Sequence, residues 1–330
     1  MRIGLDAMGT NHSPCTEVEG AISSLRDSMD DLQIILIGDE ELIRLELQKY
    51  DSNYPMDQLS IIHAPERVLN EDSPAKALRQ KPNSSIAIGL KMQKNGELDA
   101  FVSAGSTGAV MAGSLLILRP LKGVDRPCIG TVVPTAKGPL LLLDAGANVD
   151  CKPHHLAQFA GLGKVYAQDL MGIDTPRIGL LNIGEEPEKG NEVTVTTHKV
   201  LSSTHLNFVG NVEGGELLGG ACDVLVCDGF VGNVILKFYE SVASFISNLF
   251  KDKLGQGSGD LRDIFKILDY TETGGAPLLG VNGVVIICHG NSPPKAIHNA
   301  IGVADRAVQA AMLSHFIEEI DSFGPTGADL

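Results

Sequence analysis

Apolar runs of strand length alternate with longer amphipathic stretches along this chain, the pattern of an α/β protein. The runs expected as strands are Ile3–Met8, Gln33–Gly38, Leu59–Ala64, Asp99–Ala104 and Cys128–Val133. Leu140–Asp144, Arg177–Ile183, Leu206–Gly210, Asp223–Cys227 and Gly283–Cys288 complete the set. Several are apolar throughout, as strands covered on both faces are. Between them the period changes. Over Pro153–Leu170, the residues Leu156, Phe159, Ala160, Gly163, Ala167 and Leu170 recur at three- and four-residue steps. That spacing predicts a helix, opened by Pro153 and capped by Asp150. Alternation of this kind, taken alone, predicts an all-parallel sheet. No repeat, low-complexity tract or convincing linker interrupts it. "GQGSG" at Gly255–Gly259 reads as the most flexible segment, and the final "GPTGADL" as a fraying end.

The region Val234–Tyr270 departs from the pattern, because "VILKFYESVASFISNLFKDKL" and "LRDIFKILDY" carry many large apolar residues. Phe238, Val242, Phe245, Ile246, Leu249 and Phe250 form a broad helical face. A core or dimer-interface helix is favoured over a membrane-touching one. Lys251, Lys253, Arg262 and Lys266 keep the second reading open.

Composition narrows the class. With 330 residues and 37 glycines the chain suits a large α/β domain with many tight turns, and it has core enough to need neither disulfides nor a structural metal. The net charge of −15 argues against general nucleic-acid binding and against an extensive polybasic membrane patch. Any anionic substrate must be held by local cations and backbone N–H groups. The six cysteines form no CxxC pair and no zinc spacing, so reduced thiols are expected. "MRIGLDAMG" enters a strand without an h-region, and no run reaches the roughly 18–20 apolar residues of a membrane span. The expected location is the cytoplasm, with peripheral membrane contact left open.

Polar, glycine-rich clusters follow many of the strands. They are "DAMG" at Asp6–Gly9, "SAGSTGA" at Ser103–Ala109, "DAGANVDC" at Asp144–Cys151, "NIGEEPEKGN" at Asn182–Asn191, "GNVEGG" at Gly210–Gly215, "DGFVGN" at Asp228–Asn233 and "HGNS" at His289–Ser292. Ligands of open α/β sheets bind beyond the carboxyl ends of strands, so this series suggests one large polar pocket. In "SAGSTGA" a strand passes Gly105 into a helix opened by Ser106 and Thr107, where free N–H groups favour an anion. Two readings stand there, because Ser106 and Thr107 also suit plain N-caps. Gly4–Gly9 lacks the lysine of a Walker A loop, and no GxGxxG follows a strand, which disfavours ATP hydrolysis and ordinary NAD chemistry. His289 suits a ligand-facing or a structural histidine equally. Cys151 reads as a buried thiol before a nucleophile, and the neighbours His154 and His155 do not read as a metal pair. In "LLNIGEEPEKGNE", Lys189 is either a counter-charge to the surrounding glutamates or a hand for an anion.

These clusters, in this order, resemble the PlsX family of phosphate acyltransferases. The matching stretches are "DAMG", "ALRQKPNSS", "SAGSTGA", "LDAGANVDCKPHHLAQFA", "LLNIGEEPEKGNE", "NFVGNVEG", "DVLVCDGFVGNVILK" and "GGAPLLGVNGVVIICHG", from Asp6 to Gly290. The resemblance implies transfer of a fatty acyl group from acyl carrier protein to inorganic phosphate, giving acyl phosphate for bacterial phospholipid synthesis, with no cofactor and no metal. It also implies a homodimer and a three-layer α/β/α fold with a large mixed sheet. That fold is expected to be like isocitrate/isopropylmalate dehydrogenases and akin to phosphotransacetylases, with a block of antiparallel strands. The expected organisation is a single α/β/α catalytic domain over 1–330, of two intertwined lobes. Segment 234–270 is left for contact with a dimer mate, a membrane or a downstream membrane acyltransferase. Thr10, Asn11, Ser106 and Asn291 depart from the family's usual residues.

The loops and the resemblance together give the site expectation. Lys189 grips phosphate as a point charge, while Asn182, Asn233 and the Ser103–Thr107 loop supply neutral donors, and His289 donates to the oxyanion or the leaving sulfur. The substrate-binding set is Asp6, Ser103, Gly105, Ser106, Thr107 and Asn148, with Glu185, Asn191, Asp228 and Gly229 beside Lys189. Asp228 and Glu185 are expected to orient Lys189 or a loop, the glutamates restraining Lys189 until a substrate anion arrives. For an acidic carrier the candidate basic surfaces are Lys76, Arg79 and Lys81; Arg119, Lys122 and Arg126; or the lysines of Phe250–Lys266. Rival readings are a phosphotransacetylase-like enzyme using acyl-CoA and a non-catalytic carrier- or lipid-binding protein.

Overall fold

Each of the ten apolar runs contains a strand in the computed structural model, which describes residues 1–27, 31–50, 55–69, 71–254 and 274–322. In chain order the strands are β1 (Arg2–Asp6), β2 (Gln33–Gly38), β3 (Leu59–His63), β4 (Ala100–Ser103), β5 (Cys128–Thr135) and β6 (Gly138–Leu143). They continue with β7 (Ile178–Asn182), β8 (Phe208–Glu213), β9 (Val224–Val226), β10 (Ala276–Leu279) and β11 (Val284–Ile287). β10 has no counterpart in the sequence reading. It is four residues long, contains Pro277 and lies between glycines, so locally it reads as a loop.

The chain divides into two compact units, each made of two stretches: Met1–Lys122 with Thr273–Ser314, and Gly123–Glu272 with His315–Leu330. In the first, β3, β2, β1, β4 and β11 pair in that order and in parallel, and β10 adds to β11 antiparallel. In the second, β6, β9, β7 and β8 pair in parallel, with β5 antiparallel to β6. The all-parallel expectation from alternation therefore fails at β5 and β10. Strand sense is set by what the connection allows, and the tight Ala136–Lys137 turn between β5 and β6 permits an antiparallel pair alone.

Ile3, Leu5, Ile34, Leu36 and Phe101 are buried in the first unit, and Leu141, Leu143, Val224, Val226 and Phe159 in the second. Side chains of this kind each contribute roughly 1.5–3 kcal/mol on burial, which is what holds the registers. Those registers align the strand ends. Ser103 lies opposite Ile287 and Val102 opposite Leu5, so the loops after β1, β4 and β11 leave one edge of the first unit. Val226 lies opposite Leu143 and Leu180, so the loops after β6, β9 and β7 leave one edge of the second.

The predicted helix α6 spans Pro153–Met171, but Asp150 is not its cap; Lys152 holds that position and donates its N–H to His155 Nδ1 at 3.0 Å. β8 begins two residues later than expected and runs past Gly210, whose φ of 101° accompanies a register shift against β7. Helix α8 (Gly229–Leu254) covers the described part of the apolar segment, and 255–270 lie outside the described residues. Phe238 and Phe245 are 70% and 66% exposed, which rules out a core role for that stripe within the chain.

Candidate active site

In the first unit the site loops are tied to one another through a buried carboxylate. Asp6, at the end of β1, is 1% exposed and accepts hydrogen bonds from Ser103 Oγ at 2.7 Å and from the Met8 N–H at 3.1 Å. Ser103 Oγ in turn accepts the Gly105 N–H at 3.1 Å. Burial pushes the Asp6 carboxyl above its ordinary range, against the opposing bonds from Ser85 and Ser103. Asp6 and Ser103, expected to touch substrate, fasten the β1 loop to the β4 loop. Ser106 precedes helix α5 (Thr107–Gly113) without capping it by its side chain, so the N-cap reading fails for its hydroxyl. Thr107 is exposed.

The departures from the family pattern have structural partners. Thr10 is buried, with φ outside the left-handed region, and donates its N–H to Glu17 Oε1 at 2.6 Å. Asn11 donates from Nδ2 to Asn291 Oδ1 at 2.5 Å and from its backbone to the Gly290 carbonyl at 2.9 Å. Two of the departures are thus bonded to each other, joining the β1 and β11 loops. His289 is exposed, and its Nδ1 accepts the Asn291 N–H at 3.2 Å. A backbone N–H must donate, so in the neutral ring the proton sits on Nε2, which faces no partner among the described residues.

In the second unit Asp144, fully buried at the end of β6, accepts five hydrogen bonds. The donors are the N–H groups of Ile129, Gly146, Ala147 and Asn148, at 2.7–3.2 Å, and Asn148 Nδ2 at 2.8 Å. Burial pushes its carboxyl upward, and those donors hold it back. Asn148 also donates to the Pro127 carbonyl, and its own carbonyl accepts the Gly229 N–H at 2.7 Å. With these bonds Asn148 and Gly229 fix the start of α8. Space there is minimal, since a Cβ at Gly232 would lie 1.9 Å from the Asp144 carbonyl oxygen. Asp228 accepts the Val231 N–H at 2.9 Å and so caps α8, leaving Asn233 exposed one turn on.

The neighbouring loop is built around Asn182, the last residue of β7. Asn182 donates from Nδ2 to the Lys189 carbonyl at 2.9 Å and accepts the Ile183 N–H at 2.9 Å. Gly190 follows at φ 98°, where a Cβ would stand 2.1 Å from Thr194 Oγ1 and 2.4 Å from Asn182 Oδ1. Asn191 then caps α7 (Glu192–Ser202) through the Thr194 N–H at 2.9 Å. Lys189 and Glu185 are exposed, and the Lys189 ammonium has no ion-pair partner among the described residues. The expected restraint of Lys189 by the glutamates is absent; its stem lies over Gly184 instead, with Cγ 2.9 Å from where a Cβ would be.

Cys151 is half-buried, and burial with Asp144 and Asp228 nearby pushes its thiol up to about 12. A thiol so poorly ionised makes a weak nucleophile. Asp125, His154 and His155 bring three ligand atoms within 4.8 Å of one another. His155 Nδ1 accepts a backbone N–H, which puts the proton on the Nε2 facing Asp125, and burial lowers its pKa to about 4. His154 bonds Asp125 directly at 2.9 Å. That arrangement is a hydrogen-bonded cluster rather than a set of free metal ligands.

Three organising residues escaped the sequence reading. Asp144 carried a signal in Asp144–Asn148, where an aspartate ahead of glycine and asparagine turns the backbone back onto its own carboxylate. Glu17 lies on the buried face of α1 (Cys15–Asp27) with Val18, Ala21 and Ile22, and an acid on such a face was its signal. Asn211, assigned to a loop, is a buried β8 residue that donates to the Glu186 carbonyl at 2.8 Å and ties the Lys189 loop to the sheet.

The fold has solved counterparts. The EutD phosphotransacetylase from Staphylococcus aureus aligns with a TM-score of 0.59 at 17% identity, covering 94% of each chain. A branched-chain phosphotransacylase from Enterococcus faecalis V583 aligns with a TM-score of 0.61 at 15% identity, covering 93% of this chain and 99% of that one. At such identities the likeness defines the fold alone: α/β, with a large mixed sheet of the phosphotransacetylase kind. It corrects the expected isocitrate/isopropylmalate dehydrogenase fold. Alternating elements fix the α/β class but do not choose between relatives that share it.

Sequence comparison narrows the class to a family. A family model described as "Fatty acid synthesis protein" matches residues 1–315. The phosphate acyltransferase of Desulforamulus reducens is 48% identical over 337 residues, and that of Thermoanaerobacter pseudethanolicus 46% over 334, each covering 98% of both chains. The chain belongs to the phosphate acyltransferase family and is an enzyme of that class.

Proposed function

We propose that the protein transfers a fatty acyl group from acyl carrier protein to inorganic phosphate, releasing acyl phosphate for phospholipid synthesis. The observation that carries this reading is the full-length identity to phosphate acyltransferases. Phosphate is already an anionic oxygen nucleophile at neutral pH, so no Ser–His–Asp relay is required. One phosphate oxygen attacks the thioester carbonyl carbon, the C–O bond forms, and the tetrahedral oxyanion collapses with cleavage of the C–S bond. The departing thiolate, with a reference thiol pKa near ~8.5, takes its proton from solvent.

The chemistry asks for a cation on phosphate and donors for the oxyanion. Lys189 suits the first role, because its ammonium is exposed and has no ion-pair partner among the described residues, on a loop held by Asn182, Gly190 and Asn191. In the same unit the exposed Asn233 amide suits the second. In the first unit the Ser106 hydroxyl and His289, whose Nε2–H tautomer Asn291 fixes, are candidate donors in their own right. Asp6, Ser103, Asn148 and Asp228 act as positioning residues. The protein works in the cytoplasm as a homodimer, with the exposed stripe of α8 as a contact surface.

The test incubates the protein with acyl carrier protein loaded with a palmitoyl chain, with and without phosphate, beside palmitoyl-CoA. Phosphate-dependent release of carrier thiol is expected. Equal or better use of the CoA ester moves the protein to the phosphotransacetylase-like reading, and no release from either donor leaves a binding protein. Lys189→Ala is expected to raise the phosphate KM at least about tenfold, the usual scale for one lost charge-assisted contact. An unchanged phosphate dependence removes Lys189 from the role.

A further inference from the structure

A short helix beside the first unit's site loops carries cations that no described residue neutralises. Helix α3 (Pro74–Gln80) buries Ala77 and Leu78 and exposes Lys76 and Arg79, three residues apart on its outer side. Neither Lys76 nor Arg79 has an ion-pair or hydrogen-bond partner among the described residues. Some other surface cations of this acidic chain are matched, Arg44 with Glu40, Lys49 with Glu46 and Lys237 with Glu240, so the distinction of Lys76 and Arg79 is their place beside the site loops. Lys81, next after the helix, is bound to Asp72 and to the Arg67 carbonyl, which fixes the segment without neutralising its outer side. Lys91, on the next helix, is exposed and donates its ammonium to the Pro82 carbonyl at 2.8 Å, just past the end of α3.

The position of α3 gives the patch its meaning. Pro74 packs on α5, where a Cβ at Gly108 would lie 2.9 Å from Pro74 Cγ. α5 follows directly on the Ser103–Ser106 loop. Upstream, Arg67 donates from Nη2 to the Thr10 carbonyl at 2.8 Å, tying the same segment to the β1 loop.

We propose that Lys76 and Arg79 form the landing surface for acyl carrier protein. This rests on the reading given under Proposed function, and it names where the acyl donor sits. An acidic carrier is repelled at a distance by a chain of net charge −15. Beyond about 8 Å that repulsion is screened at physiological salt, so unpaired cations at the contact decide the outcome. A membrane surface fits less well, because an interfacial helix sets apolar side chains beside its cations and α3 turns Ala77 and Leu78 inward.

The experiment compares wild type with the Lys76→Glu, Arg79→Glu double variant, using palmitoyl-loaded acyl carrier protein at two salt concentrations. The KM for the carrier is expected to rise at least about tenfold and to lose most of its salt dependence, with kcat, the phosphate KM and the Tm held. The milder Lys76→Ala, Arg79→Ala variant is expected to shift KM in the same direction. An unchanged carrier KM overturns the proposal. Loss of binding to phosphatidylglycerol vesicles with the carrier KM held overturns it in favour of a lipid contact. If wild type shows no turnover, the functional reading falls, and direct calorimetric binding of the carrier decides the patch. Equal binding by wild type and the double variant then overturns it.

Discussion

At the residue scale, polar groups near the strand ends divide into those that face outward and those already bonded within the protein. Lys189, Asn233, Thr107 and His289 are exposed, whereas Asp6, Ser103, Asn148 and Asn182 hold loops. Sequence named both groups together, because residue type and loop position do not tell which way a side chain turns. Glu17 belongs to the holding group and carries a pH signature. It is 0% exposed, its Oε2 has no hydrogen-bond partner, and burial raises its pKa from 4.5 to about 7 against the Thr10 bond. The folded pKa exceeds the unfolded one, so the native state binds this proton more tightly. The stabilisation is fully present below about 4.5 and is lost as pH rises through about 7. The shift corresponds to about 3 kcal/mol at most. Urea unfolding of wild type and Glu17→Gln from pH 4 to pH 8 is expected to show wild type losing stability relative to the variant across that window. Asp6 and Asp144 are shifted the same way and titrate in both proteins; because the Asp6 charge helps raise Glu17, the difference reads Glu17 together with that coupling. Parallel curves would show that Glu17 titrates near its ordinary value.

At the scale of elements, apolar runs marked every strand except β10, since burial on both faces writes itself into consecutive residues. Boundaries were less legible. β8 runs through Gly210, because a left-handed glycine makes a bulge where the sequence suggested an end, and α6 has Lys152 at its cap, its N–H accepted by His155 of the first turn. The start of α7 was legible, since asparagine before Glu192 is a capping signal. Asn191 also follows Gly190 and Lys189, so this cap secures the loop that presents the ammonium. Asn191→Ala is expected to lower stability by about 1 kcal/mol, read as a lower urea midpoint with unchanged slope. Asn191→Ser, which keeps an acceptor for the Thr194 N–H, is expected to recover most of it. An Ala variant as stable as wild type would mean that the Thr194 bond contributes nothing.

At the scale of the whole molecule, the α/β class and the family were legible, but the dehydrogenase likeness was not the right relative. Class follows from alternation, which many α/β folds share, while the likeness to phosphotransacetylases is a property of the whole fold. The apolar segment was legible as an anomaly but not as a surface. Sequence favoured a core or interface helix, and exposure of Phe238 and Phe245 removes the core half of that pair. Phe230, Val234, Phe238, Phe245 and Leu249 together leave a long apolar stripe in water, more than scattered surface residues explain. No described helix is long and apolar enough to cross a membrane. The proposed cover is a second copy of the chain. Wild type is expected to sediment as a dimer at micromolar concentration. Phe238→Glu with Phe245→Glu is expected to sediment as a monomer with secondary structure retained, since neither side chain supports the chain's own core. A wild-type monomer under those conditions would refute the dimer, and co-sedimentation with liposomes, abolished by the same pair, would reassign the stripe to a lipid surface.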